Sequence, residues 1–459
     1  MKRIFALVLL LALLLCGCRQ PEVSAWQPYN GKPEEYTYFH ETKREKDWEE
    51  DVLHLAQDFM DNYPLFQSGK SHMYYYAIQG LGTTIGYLED RQLREDFLAR
   101  VNALIPKLAE LTDTQITLEL QKLVASLGDV HSQLYPEITR VFQILFEPFF
   151  VGQDVEYRVV VLPVQYKDLM YAKLISINGI ALEEVIRRLT PYVPVENEYG
   201  LISYLAEELL CQPILLKEAG ILQSATEKAA FELETEDGER HTVFLPPTTI
   251  QALGDVPTES RSIYNTYAFS FQYWDEENFW YEILEEENTA FVRINRFAEE
   301  WDETLKQMFE SFMADLRQHE QITKVIVDLR RNSGGMTFMT GYPRLLQALK
   351  LPQIENVCVL IDQGSFSQSV VMAYEIKQEI GTAVLMGVPA GEGSFFVGVR
   401  NDPSKLPDSG LTYRVATVPL DLNREEPFDA LMPDMIVYPT LEDYKNGIDT
   451  VLEAAKAYG

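Results

Sequence analysis

The chain has 459 residues, with 70 Asp and Glu against 39 Lys and Arg, a formal net charge of −31 and a pI near 4.6. That balance excludes a nucleic-acid binder, because phosphate contacts need an excess of basic side chains, and it opposes simple adhesion to anionic lipid. With 46% hydrophobic and 24% charged residues the composition is that of an ordinary globular chain, long enough for about two to four domains.

The first residues, Lys2-Arg3, precede an apolar run from Ile4 to Leu15 and the tetrad Leu15-Cys16-Gly17-Cys18. A basic start, a short apolar stretch and a small-residue site make an export signal over residues 1–17. The run is too short for a membrane span, which needs roughly 20 apolar residues. Leu15 to Cys18 resembles a bacterial lipoprotein box, which implies cleavage before Cys18 and acylation of its thiol, so that a lipid anchor holds the chain outside the cell membrane. Residues 18–46, with Pro21, Pro28 and Pro33, are expected to form a tether. Cys211 and Cys358 lie in apolar runs and are expected as buried free thiols. The sequence carries no Cys/His cluster of metal-binding spacing, and no cofactor is expected.

From residue 47 to 141 the spacing predicts a small helical domain: Val52, Leu55, Ala56 and Phe59 recur at helical intervals, as do Phe97, Val101, Leu104 and Leu108. It closes on Leu127-Gly128-Asp129-Val130-His131-Ser132. Residues 142–249 change character, with strands at Tyr157–Leu162 and Ala172–Ile177, a turn at Asn178-Gly179, a helix over Leu182–Leu189, and a hairpin across Asp237-Gly238. Lys173 to Gly179 resembles the core of a PDZ domain. A helical insertion over 196–222 and the absence of a carboxylate-binding loop make it a degenerate one, suited to binding peptide tails or to serving as a lid or spacer. Alternating Tyr267, Phe269, Phe271 and Tyr273 predict a strand with one aromatic face.

Residues 260–459 alternate strands and helices and predict an α/β domain with a mixed sheet. The run Val325 to Asp328 reads as a buried strand that leads through Leu329-Arg330-Arg331-Asn332-Ser333 to Gly334-Gly335, a pair able to present bare backbone N–H groups. A second strand, Asn356 to Asp362, passes through Ser365-Phe366-Ser367 into an apolar helix, Val370 to Ile380. A hydroxyl at a helix N-terminus sits in positive potential, where a developing oxyanion is stabilised.

These two segments resemble the C-terminal processing (tail-specific) proteases, serine peptidases with a strand ending Asp-Leu-Arg-x-Asn-x-Gly-Gly followed by a Thr-x-Ser turn. Asp328, Leu329, Arg330, Asn332, Gly334 and Gly335 match the first motif, and Ser365-Phe366-Ser367 matches the turn. Gly128-Asp129-Val130-His131, Leu406 to Leu411 and Met432-Pro433-Asp434 extend the resemblance. It implies a crotonase-like catalytic fold with Ser367 as nucleophile. Many members have a Glu where this chain has Val370.

Within that resemblance the base is either a Lys in a Gly-Lys-Gly segment or a His. Here the corresponding stretch is Gly391-Glu392-Gly393, and Lys377 is expected in solvent, so the base falls to His131. Glu426, ahead of Pro433-Asp434, is the nearest match to the carboxylate that orients the imidazole, with Glu425, Asp429 and Glu392 as rivals. The oxyanion hole is assigned to backbone N–H groups of Gly335 and Gln368, with Gly334 as neighbour. Asp328 and Arg330 are expected to pin the loop. An unperturbed imidazole base would give an acid limb of activity at about pH 6 to 7. The function implied is a membrane-tethered extracytoplasmic serine endopeptidase acting on exported proteins or peptides. The competing class is a peptide-binding or scaffold protein on the same fold with decayed catalysis.

Overall fold

Alternation along the hydrophobic strands of the C-terminal half decides how its layers stack. The computed structural model describes residues 47–67, 71–75, 82–152, 154–255, 257–260, 278–297, 302–335, 341–399, 402–423 and 425–459. A six-stranded sheet runs in the order Phe279–Leu284, Thr289–Ile294, Lys324–Asp328, Asn356–Ile361, Val384–Gly387 and Met435–Ile436. The first pair is antiparallel and every later pair parallel. Val292, Val325, Val327, Val359 and Leu385 face the helices Asp302–Gln318, Tyr342–Leu349 and Gln368–Glu379. Their neighbours Phe291, Ile326, Cys358, Leu360 and Met386 face the helix Thr450–Ala457. Both sheet faces are covered, which is why these strands read as nearly unbroken apolar runs. The loops that leave the C-terminal ends of the parallel strands therefore gather at one edge, where open sheets of this kind place their sites.

The middle of the chain builds a separate sheet from Leu145–Val151, Asp154–Pro163, Lys173–Ile177, Ala229–Glu234, Arg240–Leu245 and Thr258–Ser260, with the two-residue Ile180–Ala181 at its rim. The helix Leu182–Leu189 forms with the expected bounds, and Asn178 (φ 51°) and Gly179 (φ 75°) make the left-handed turn before it. The expected insertion holds the helices Glu198–Glu207 and Pro213–Glu218.

The N-terminal helices Trp48–Asn62, Arg91–Leu104 and Asp113–Ala125 form as spaced, the last started by a Thr112–Gln115 capping box. They do not make a core of their own. Val52, Leu55, Phe59, Phe97 and Leu120 pack with Val397, Leu406, Tyr413 and Val415 from far along the chain. The strand Gln133–Tyr135 pairs with Thr412–Arg414, and buried Asp51 accepts from the backbone N–H groups of Asp408 and Ser409, both at 2.8 Å. The expected domain of residues 47–141 thus shares its interior with residues 397–416.

Cys211 and Cys358 are buried free thiols. The export signal, Cys18, the tether and the aromatic strand at 262–273 lie outside the described residues. Among the described residues no helix is long and apolar enough to cross a membrane.

Candidate active site

Ser367 is the N-cap of the helix Gln368–Glu379 and has φ 54° and ψ −123°, a region that non-glycine residues rarely occupy. A strand-to-helix turn of this shape pushes the side chain out of the chain's path, as nucleophile elbows do. The strain is held by bonds from the preceding loop. Asn332 donates through Nδ2 to Ile294 O at 2.8 Å, and its carbonyl accepts from Phe366 N at 3.0 Å and Ser369 Oγ at 2.7 Å. Ser365 Oγ donates to Leu329 O at 2.9 Å, while Asp362 Oδ1 accepts from Arg331 N at 2.7 Å and Gly364 N at 3.0 Å. Ser365 and Ser369 are buried and engaged in these bonds, which leaves Ser367 as the partly exposed hydroxyl of the three.

Behind the loop, Arg330 forks onto Asp328 and Asp449. Its Nη2 donates to each carboxylate at 2.7 Å, and Asp449 also caps the helix Thr450–Ala457. Fully buried Arg293 reaches Asp328 Oδ1 at 2.6 Å. Asp328 stays below the usual carboxylate range because both guanidiniums offset the penalty of its burial. These residues pin the loop, as the sequence suggested. Arg331 (φ 52°) pairs with Glu147 and, at 3.5 Å, with Glu207, tying the loop to the middle sheet.

Gly334 and Gly335 are required by space. A Cβ on Gly334 (φ 83°) would sit 2.5 Å from Ser367 Cβ, and one on Gly335 (φ 124°) would sit 1.8 Å from Phe297 O. Their expected shared role divides, however. The Gly334 N–H donates to Asn332 Oδ1 at 2.8 Å and is spent within the loop. Among the described residues no acceptor takes the N–H of Gly335 or that of Gln368 at the helix start. These two remain as donors able to meet a developing oxyanion, with the helix dipole behind Gln368.

His131 follows the helix Asp113–Ala125, in a turn where Asp129 Oδ1 accepts from His131 N at 2.9 Å and Oδ2 from Ser132 Oγ at 2.7 Å. Its ring stacks on Phe396 at 5.4 Å between centroids and an angle of 14°. Nδ1 lies 3.5 Å from Glu392 Oε1 and 3.8 Å from Asp129 Oδ1. The other oxygen of Glu392 accepts the backbone N–H of Ser367. One fully buried carboxylate therefore touches both the Ser367 backbone and the imidazole. Ser367 Oγ itself makes no hydrogen bond among the described residues; in ligand-free sites such contacts commonly tighten only when substrate binds.

Burial and the nearby positive charge of Arg414 lower the His131 pKa to about 4, so the ring is neutral well below the pH 6 to 7 expected from sequence. Burial raises Asp129 to about 6. It also holds Glu392 and Glu196 well above the usual carboxyl range, and for Glu196 the neighbouring charges of Glu392 and Asp129 add to the effect.

Glu426, the nearest sequence match for the orienting acid, is exposed, and its N–H donates to Asn423 Oδ1 at 3.2 Å. The carboxylates near the imidazole are Glu392, Asp129 and Glu196. Lys377 is engaged elsewhere, donating to Asp434 Oδ2 at 2.8 Å and Ala383 O at 2.7 Å. The loop that carries Glu392 is zipped to residues 428–431: Ala390 N donates to Leu431 O at 3.0 Å, Leu431 N to Glu392 O at 3.1 Å, and Ser394 N to Phe428 O at 2.9 Å. Sequence reasoning missed Glu196, Phe396 and Arg414. Glu392 carried a signal, its place in Gly391-Glu392-Gly393, the stretch that the sequence resemblance sets against a Gly-Lys-Gly segment.

Residues 288–340 match Peptidase family S41. No curated protein matches the chain. The structure of mature CPAF resembles it at a TM-score of 0.57 and 10% identity, over 89% of this chain and 95% of that one. Mature CPAF complexed with lactacystin resembles it at 0.55 and 10%, over 89% and 96%. At this identity the likeness is one of fold. The chain therefore has a segment similar to peptidase family S41, the one that builds the loop beneath Ser367, within a mixed α/β fold that mature CPAF shares.

Proposed function

We propose that this chain is a serine peptidase in which Ser367 attacks the peptide carbonyl, His131 takes its proton, and Glu392 orients the imidazole. The observation that carries the reading is the position of Glu392, which bonds the backbone of a strained serine at a helix N-terminus and faces Nδ1 of a buried, neutral histidine. A proton on Nδ1 facing Glu392 leaves Nε2 with the lone pair that a base needs. The hydroxyl proton passes to Nε2, the oxyanion rests on the N–H groups of Gly335 and Gln368, and the imidazolium returns the proton to the leaving amine. Glu392 replaces Glu426 in this assignment because Glu426 stands at the surface.

In this reading the middle sheet is a PDZ-like unit, and its helix Glu198–Glu207 walls the site. Asn197 Nδ2 donates to Asp429 O at 2.9 Å, and a Cβ on Gly200 would meet Gly391 O at 3.0 Å. The substrate class is exported polypeptide, and Cys18 acylation would hold the enzyme at the outer face of the cell membrane. Cys18→Ser is then expected to release the protein from the membrane fraction or leave it unprocessed, and membrane retention with wild-type migration refutes the anchor.

A second reading, a peptide-binding protein that has lost catalysis, is favoured by the missing hydrogen bond at Ser367 Oγ. A fluorophosphonate probe, applied after chelation of metal ions, separates the two. The peptidase reading expects a covalent adduct on Ser367, and an unlabelled, folded, metal-free protein decides for the second.

A further inference from the structure

Besides its place in the proposed machinery, the base side of the site has an unusual polar inventory. Among the described residues, His131 Nδ1, Glu196 Oε1, Glu196 Oε2 and Glu392 Oε1 are all out of contact with solvent and none is hydrogen-bonded. Such groups are normally paired, since an unpartnered buried carboxylate oxygen forfeits its hydration. Glu196 is the sharpest case. The N–H groups of Val130 and Gly393 lie near enough to ease its charge without reaching hydrogen-bond geometry, and neither oxygen has a partner.

Donor atoms from Asp129, His131 and Glu196 all lie within 4.8 Å of one another, and Glu392 adds an oxygen 3.5 Å from His131 Nδ1. Asp129 is already oriented by the His131 N–H and the Ser132 hydroxyl, the kind of outer support that metal-ligating carboxylates have. Three carboxylates around one neutral imidazole need protons or a cation to offset their charge. An imidazole nitrogen with carboxylate oxygens is a donor set for zinc and similar divalent transition ions, which bind at about 2.0 to 2.2 Å and so require the donors to close in modestly.

We propose that Asp129, His131 and Glu196, with Glu392 completing the set, bind one divalent transition-metal ion of the zinc class, and that this ion switches the peptidase off. The second half rests on the function proposed above. A neutral imidazole has one nitrogen lone pair available. If the metal takes it at Nδ1, the ring proton resides on Nε2, which then cannot accept the proton of Ser367 Oγ. Ring charge is unchanged, and protons held by the carboxyl groups leave to solvent as the ion enters. Removing the ion restores the other tautomer.

The test uses the full chain after chelation and dialysis. Calorimetric titration with zinc chloride is expected to show one ion per chain. Glu196→Gln and Asp129→Asn are each expected to weaken binding at least tenfold while melting as cooperatively as wild type, and Ser367→Ala is expected to bind zinc as wild type does. Anomalous scattering at the zinc edge locates the ion. Labelling of Ser367 by a fluorophosphonate is expected to be suppressed by zinc and restored by EDTA, and in Glu196→Gln to resist zinc. No stoichiometric binding, or full binding in folded Glu196→Gln and Asp129→Asn, overturns the site. Stoichiometric binding that leaves labelling untouched overturns the switch. If the metal-free wild type does not label at all, the peptidase reading has failed, while the titration still decides the metal site.

Discussion

The two halves of the site are built on opposite terms. Around Ser367 the strained backbone is held by a loop across which Asn332, Asp362 and Ser365 each bond, and Arg330 is locked between Asp328 and Asp449. Around His131 buried carboxylates are drawn together, and both oxygens of Glu196, one oxygen of Glu392 and Nδ1 of the imidazole are left without hydrogen bonds. A paired network fixes geometry, whereas an unpaired one stores unfavourable electrostatics that protonation, a ligand or a cation can relieve. The Ser367 side is therefore preorganised, and the His131 side is the half that conditions can tune.

The largest effect expected from this contrast is at the nucleophile. Ser367→Ala is expected to lower peptide turnover by about 10⁴ to 10⁶-fold without loss of fold, since removing one member of such a unit costs nearly as much as removing all. Mass spectrometry of the fluorophosphonate adduct is expected to place it on Ser367; an adduct on Ser365 or Ser369, with Ser367→Ala still active, breaks the assignment. His131→Ala is expected to fall in a similar range, and near wild-type hydrolysis by the folded variant would discard both the base and the contrast. Glu392→Gln keeps the shape but changes the tautomer preference, and a smaller loss of about 10² to 10⁴-fold in kcat is expected. Glu426→Gln is the control and is expected to leave kcat unchanged.

Gly334→Ala tests how rigid the paired half is. The added methyl meets Ser367 Cβ and the positive φ adds roughly 1 to 3 kcal/mol of backbone strain. A fall in both Tm and turnover is expected, and an unaffected kcat shows that the elbow can yield. The pH profile tests the tunable half. Activity requires a neutral ring, so with His131 at about 4 the rate is expected to persist as pH drops through 6 and to fail only near 4. A limb at 6 to 7 in kcat/KM means that the ring is less buried in solution, or is paired with ionised carboxylates.

The smallest effect is on stability. Burial raises Glu375 to about 8 from 4.5, so the folded chain holds a proton that the unfolded chain releases. Stability from this group is present below about pH 4.5 and is lost as pH rises toward 8. Glu375→Gln is expected to flatten that decline and raise Tm at pH 8, read by thermal melts at several pH values. An identical slope in the variant removes Glu375 as its source.

Most of the paired half was legible in sequence because it is local. The strands at Lys324–Asp328 and Asn356–Ile361, the Gly pair and the serine turn lie in one stretch, where β-branched runs and turn residues report directly on backbone geometry. The other half was legible at His131 and, as one of several rival carboxylates, at Glu392. Glu392, Phe396 and Glu196 meet it from loops whose neighbours are set by tertiary packing, and no periodicity encodes that. Glu426 looked suitable from its distance to Pro433-Asp434, but spacing along a chain does not tell which side of a loop faces inward. The shared core of the N-terminal helices was invisible for the same reason: Val52 and Phe59 announce a buried face without naming Val397 and Tyr413 as what covers it.

That shared core has a consequence for how the protein comes into being. Ser132, next to the proposed base, takes the backbone N–H of Ala416 on its hydroxyl across 284 positions of chain. The helices Trp48–Asn62 and Arg91–Leu104 must therefore wait, with an apolar face uncovered, until residues 397–416 have been made. Contacts of such long sequence separation slow folding and prolong exposure to aggregation and to proteolysis. The same arrangement means that a polypeptide interrupted before residue 416 lacks a finished surround for His131, so an incomplete copy has no assembled site.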